Sequence, residues 1–140
     1  YTTIKHGVAY TAREEAAVAR IPGRDWAKTV VCFADGQPIQ AVLPADSMVD
    51  LGRLRALAQA DAVRLATEAE IADLYPECEP GAMPPFGPLY GQRVFVDASL
   101  VGDPQMVFNA GTHTDAICMH YNDFEEIVKP LVGAFAKPVE

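Results

Sequence analysis

The stretch WAKTVVCFADGQPIQAVLP, residues 26–44, decides the architecture. Val30-Val31-Cys32-Phe33 is a dense run of β-branched and aromatic side chains, and Ile39 to Leu43 is a second apolar run. Asp35-Gly36 between them is a strong hairpin signal, because the tight turns that match strand twist need φ > 0 at both central positions. Two antiparallel strands follow, Trp26–Phe33 and Ile39–Leu43, with Pro44 ending the second.

Working outward, Val49–Ala60 has Leu51, Leu54, Leu57 and Ala58 at helical spacing. Ala62–Leu65 reads as a short strand. Thr67-Glu68-Ala69-Glu70 is a capping box that opens a helix running through Leu74. From Tyr75 to Gln92 there is no periodicity, only Pro, Gly and aromatic residues. Arg93–Asp97, Gln105–Asn109 and Ala116–Met119 are strand-like, and Asn122 is positioned to cap a last helix, Asp123–Val128, that stops at Pro130. Upstream, Thr11-Ala12-Arg13-Glu14 is another capping box, with Ala16 to Ala19 behind it and Pro22-Gly23 as the stop. The pattern predicts one α/β (α+β) domain over residues 1–140, with a mixed, curved, barrel-like sheet of about six strands flanked by helices. No repeat or linker interrupts it.

At 140 residues, half of them hydrophobic and 21% charged, the chain can bury a substantial core. No apolar run approaches the roughly 20 residues of a membrane helix, so no membrane partner is expected. Three well-separated cysteines, Cys32, Cys78 and Cys118, argue against a disulfide framework and for a reducing, cytoplasmic setting. The net charge of −8 disfavours a broad nucleic-acid surface, and DNA is not an expected partner. The charge is uneven, however. Residues 1–28 carry five basic side chains (Lys5, Arg13, Arg20, Arg24, Lys28) against three acidic ones, so a few phosphates could be met there. There is no G-x-G-x-x-G, Walker A or G-x-S-x-G motif, and no metal-like His/Cys spacing; neither a cofactor nor a metal is expected.

Three features carry possible chemistry. Lys28 opens an apolar strand; such a lysine either snorkels outward or places a compact positive charge in a cleft, where it suits a phosphate or a polarised carbonyl. Gly81-Ala82-Met83-Pro84-Pro85-Phe86-Gly87 is a stiff loop: its prolines fix φ and its glycines let another molecule approach the main chain. Asn109-Ala110-Gly111-Thr112-His113-Thr114 follows an apolar strand and gathers an amide, two hydroxyls and an imidazole, as either a turn or the floor of a polar pocket. His113 there is an acid–base group or a structural donor.

Taken in order, several segments resemble the YbaK-like proteins and prolyl-tRNA-synthetase-associated editing domains, which are aminoacyl-tRNA deacylases. They are Ala27-Lys28-Thr29-Val30-Val31, Ala41-Val42-Leu43-Pro44, the Val49-Asp50-Leu51 helix start, the Gly81–Gly87 loop, Val94-Phe95-Val96-Asp97, and Asn109-Ala110-Gly111 with the terminal helix. The resemblance runs from Thr11 to Pro130. It implies hydrolysis of the ester that joins a wrong amino acid to the 3′ end of a tRNA, without a metal and with help from the tRNA's terminal ribose hydroxyl. Lys28 matches the family's lysine, Gly81 and Pro85 its G-x-x-x-P loop, Gly111 a late glycine, and His113 a histidine of some branches. On this basis Lys28, Gly81 and His113 are the expected catalytic set. Arg24, Thr29, Pro85, Phe86, Asn109, Gly111 and Thr112 are expected on the substrate side. Partners would be the acceptor end of a mischarged tRNA and an aminoacyl-tRNA synthetase, and a further helix would precede Tyr1. Two other readings stay open: a silent module that binds the acceptor end or a small amino-acid-like ligand, and a structural or protein-interaction domain.

Overall fold

The computed structural model describes residues 2–5, 26–79, 81–112 and 115–139, the first of these as backbone only. The helix expected behind Thr11, and the site candidates Arg24 and His113, lie outside these residues.

The hairpin forms as its sequence requires. β2 (Ala27–Ala34) and β3 (Gln37–Pro44) pair antiparallel from Ala27↔Pro44 to Ala34↔Gln37. The turn has φ 49° at Asp35 and 83° at Gly36, the all-positive geometry of a type I′ turn. One backbone bond and the Asp35 side chain fix its tip: Asp35 N–H donates to the Ala62 carbonyl, and the Asp35 carboxylate accepts from Asp61 and Ala62 N–H. β5 (Val63–Leu65) adds antiparallel to the outer edge of β2. β6 (Arg93–Asp97) lies parallel to β3, and β9 (Leu131–Gly133) parallel to β6. The result is a mixed five-stranded sheet in the order β5-β2-β3-β6-β9. β1 (Thr2–Lys5), β8 (Asp115–Met119) and β7 (Met106–Asn109) form a second, antiparallel sheet, joined to the first by a bridge between Trp26 and Val107. β4 (Ser47–Val49) and β10 (Ala136–Pro138) make a two-stranded ribbon.

Both faces of the large sheet are covered, which is why its strands are apolar on both sides. On one face Cys32, Ile39, Ala41, Leu43 and Phe95 pack against Leu54 and Ala58 of α1 (Leu51–Ala58). On the other, Val42, Val94 and Val96 meet Met106 and Phe108 of β7 and Phe124 and Val128 of α3 (Tyr121–Val128). Burial pushes the Cys32 thiol up to about 11, as befits a thiol serving as a small hydrophobe.

Several boundaries differ from the sequence reading. α1 starts at Leu51 and ends at Ala58, because Val49 belongs to β4 and Asp50 caps the helix by accepting from Arg53 N–H. α3 is capped by His120, whose Nδ1 accepts from Asn122 N–H, so Asn122 is inside the helix. β1, β4, β9 and β10 were not expected. The described strands number ten, in three sheets that do not close into one ring. The start of β10 is set by a distant residue: the buried Asp97 carboxylate accepts from Phe135 and Ala136 N–H at 2.8 Å each.

Candidate functional site

The Gly81 loop lies over the β2–β3 face that carries Val31 and Gln40. Gly81 has φ 81°, a conformation that favours glycine, and is exposed, whereas Ala82, Met83 and Pro85 are buried. Met83 packs with Val31 and Tyr75. Phe86 enters the core, its ring 5.4 Å from Phe108. A buried polar network holds the loop from below. The Gln40 amide donates to the Tyr75 hydroxyl and to the Pro84 carbonyl, 3.1 Å each, and the Tyr75 hydroxyl donates to the Gln92 side-chain oxygen. Burial pushes the Tyr75 hydroxyl up, keeping it a neutral donor. At the loop's far end an added Cβ on Gly87 would stand 2.5 Å from Val94 Cγ2 and 2.7 Å from the Gln92 carbonyl oxygen, so no larger residue fits.

The turn after β7 is stitched to this loop. Gly111, φ 96°, donates its N–H to the Ala82 carbonyl at 2.9 Å and accepts from Glu79 N–H at 2.8 Å. The Thr112 hydroxyl donates to the Asp115 carboxylate at 2.8 Å and accepts from Asp115 N–H, closing the turn on itself. Asn109 is buried, and among the described residues its amide oxygen has no hydrogen-bond donor. Two of the three sequence features therefore meet through paired main-chain bonds.

Lys28 stands apart from them. Its cross-strand partner is Leu43, which packs under α1, whereas Thr29 is opposite Val42, and Val31 opposite Gln40, on the loop's face. Thr29, not Lys28, thus shares the loop's side of β2. Lys28 lines a hollow of about 510 Å³ with Val30, Met48, Asp50, Leu65 and Lys137. Gly81 lines a different one, of about 460 Å³, whose wall is α2 (Glu68–Leu74). Glu68, Ile71, Ala72 and Tyr75, spaced along one helical face, turn toward it, and Cys78 and Gly81 complete it.

α2 is a firm wall. Thr67 and Glu70 make the reciprocal capping box, and Arg64 reaches Glu70 with two 2.7 Å contacts. The Arg64 guanidinium, then the Thr67 N–H, hold the Glu70 carboxyl down to about 2. Tyr90 stacks edge-on to Tyr75, ring centroids 4.7 Å apart, and its hydroxyl lies 3.7 Å from Cys78 Sγ. Burial, then the Cys78 neighbour, push the Tyr90 hydroxyl up to about 12.

Of the sequence candidates, Gly81, Pro85, Phe86, Gly111 and Thr112 gather around one junction, Thr29 faces it, Asn109 is buried behind it, and Lys28 lines the other hollow. Gln40, Tyr75 and Gln92 are the residues that sequence reasoning missed. A glutamine inside the apolar run Ile39–Leu43 was the available signal. Among the described residues no three His, Cys, Asp or Glu side chains cluster as metal ligands would.

Residues 6–127 match the model of a family described as aminoacyl-tRNA editing domain. A proline–tRNA ligase of Nitratidesulfovibrio vulgaris (strain Hildenborough) is 32% identical over 103 residues, 73% of this chain but 18% of the ligase. The corresponding ligase of strain DP4 is 31% identical over the same span. The chain thus corresponds to less than a fifth of those enzymes. Among solved structures, a proposed trans-editing enzyme for prolyl tRNA synthetase superposes with TM-score 0.84 at 19% identity, covering 97% of this chain and 86% of that one. A protein described as hypothetical superposes with TM-score 0.87 at 20% identity, over 97% and 91% of the two chains. At these identities the superpositions establish the fold.

Proposed function

The chain belongs to the aminoacyl-tRNA editing domain family, and from that premise we propose that it hydrolyses the ester of mischarged aminoacyl-tRNA. The observation that carries the proposal is the stitched junction of the Gly81 loop and the Gly111 turn, where a positive-φ glycine exposes main chain beside a hollow. Ester hydrolysis builds negative charge on the carbonyl oxygen, and preorganised backbone donors on a rigid loop stabilise it without reorganising. The network through Gln40, Tyr75 and Gln92 supplies the rigidity.

In this mechanism the Gly81 backbone orients the ester carbonyl and the terminal ribose. The neighbouring ribose hydroxyl acts as a relay: it takes a proton from the attacking water as it passes its own to the esterified ribose oxygen. The water oxygen adds to the carbonyl carbon, the bond to the esterified ribose oxygen breaks, and that oxygen leaves with the relayed proton, giving free amino acid and free tRNA. No protein nucleophile and no metal is required, so activity should survive a chelator. By the family resemblance alone, we give His113 the role of proton donor or orienting group, and Arg24 and Thr29 a place on the substrate side. Lys28 shares its hollow with Lys137 and is turned from the loop's face, which supports a role on a phosphate of the single-stranded acceptor end in preference to the carbonyl.

The test is ester loss from tRNAs mischarged with Ala, Cys, Ser or Pro. A proline-accepting tRNA carrying Ala, Cys or Ser is the first choice, since the similar ligases are proline–tRNA ligases. Accelerated deacylation of at least one member, insensitive to chelator, is expected. Binding that protects every ester, or leaves all of them alone, would overturn the reading and leave a silent acceptor-end module.

A further inference from the structure

We infer that the hollow walled by α2 receives the terminal adenine of the aminoacyl-tRNA, with the Glu68 carboxylate accepting a hydrogen bond from the exocyclic amine; this rests on the deacylase reading above. The hollow adjoins Gly81, where the ester is placed, so whatever fills it is attached close to the scissile bond. Its volume of about 460 Å³ is too large to be the sieve for a small amino acid. A pocket discriminates a methyl or thiol only by close fit, whereas a volume in the range of roughly 300–1,000 Å³ suits a nucleoside-sized group.

The lining also suits a base. Proteins that read single-stranded RNA ends splay the base out, pack apolar or planar groups on its faces and bond its edge. Ile71, Ala72 and Pro76 offer apolar faces, and the Glu68 carboxylate is an acceptor at the rim. Adenine presents an amine where guanine presents a carbonyl, so a carboxylate favours adenine and repels guanine. The wall is fixed in advance by the capping box and by Arg64, so little order has to be imposed on binding.

The inference separates from the parent reading by kinetics on the intact chain. Ala72 is exposed on α2, and Ala72→Phe fills the hollow with little demand on the fold. Ala72→Phe and Glu68→Ala are each expected to raise KM for the mischarged tRNA about tenfold while kcat stays within about twofold, the signature of lost uniform binding. Adenosine monophosphate should compete with substrate for the parent, guanosine monophosphate much less, and Ala72→Phe should abolish that competition. Thermal unfolding of both variants checks that the fold is kept. If the parent deacylates but neither variant shifts KM and adenosine monophosphate does not compete, the inference fails while the deacylase reading stands. If the parent deacylates nothing, the failure lies in the deacylase reading.

Discussion

The two faces of β2 hold their functional candidates in different ways. On the Thr29–Val31 face, the Gly81 loop is fixed by main-chain bonds to the Gly111 turn and by the Gln40 amide beneath it. On the Lys28–Val30 face, the candidate is one long side chain on a hollow shared with Lys137. A preorganised main-chain edge suits a carbonyl whose charge grows only in the transition state; a lysine on a flexible stem suits a phosphate already charged in the ground state. Under the proposed deacylation, the difference would put rate on one face and affinity on the other.

The largest effect should follow from wedging the loop face open. Gly87→Ala drives a Cβ against Val94 and the Gln92 carbonyl, and the expected cost is about 3 kcal/mol. Thermal unfolding should show a midpoint lower by about 10 °C or more. An unchanged midpoint would mean that the loop is not packed as described. Next comes Gln40→Leu, which leaves the Tyr75 hydroxyl and the Pro84 carbonyl without their shared donor. It should cost about 2 kcal/mol and slow deacylation by about tenfold through loss of loop placement. Denaturant unfolding together with single-turnover rates measures both; a stability loss without a rate loss would confine the network to folding.

Asp97 gives a smaller, pH-dependent effect on an anchor away from both faces' chemistry. Burial pushes its carboxyl up, but the Ser99 hydroxyl and the N–H groups of Ala136, Phe135 and Ser99 outweigh burial and hold it below the usual range. A carboxyl depressed in the folded state contributes stability above its unfolded value and loses it as pH falls through the folded one. Stability should therefore drop below about pH 4. Asp97→Asn should cost about 1–2 kcal/mol at neutral pH and flatten that part of the profile. An acid profile that the substitution leaves intact would assign the drop to other carboxylates.

How much of this was legible follows from where the determinants sit in the chain. The β2–β3 hairpin, β6, and α2 with its capping box were readable, because apolar runs, Asp35-Gly36 and Thr67/Glu70 are local signals. β9 and β10 were not: each has three residues, β9 is held by its pairing with β6, and the start of β10 is fixed by Asp97, 38 positions from Phe135. The side of β2 that Lys28 occupies was equally hidden. Val30 and Cys32 are apolar on one face and Val31 and Phe33 on the other, so alternation could not show which face met the loop. The junction of the Gly81 loop with the Gly111 turn was legible only as two Gly-rich segments, since the bonds joining them are main-chain bonds that no side chain announces.

The most direct measurement is the kinetics of Lys28→Ala on the best substrate of the mischarged panel. KM should rise about tenfold with a shallower salt dependence, and kcat should remain within about twofold. A collapse of kcat at unchanged KM would put the ammonium on the carbonyl and contradict the division between the two faces, and kinetics equal to the parent's would remove Lys28 from the mechanism.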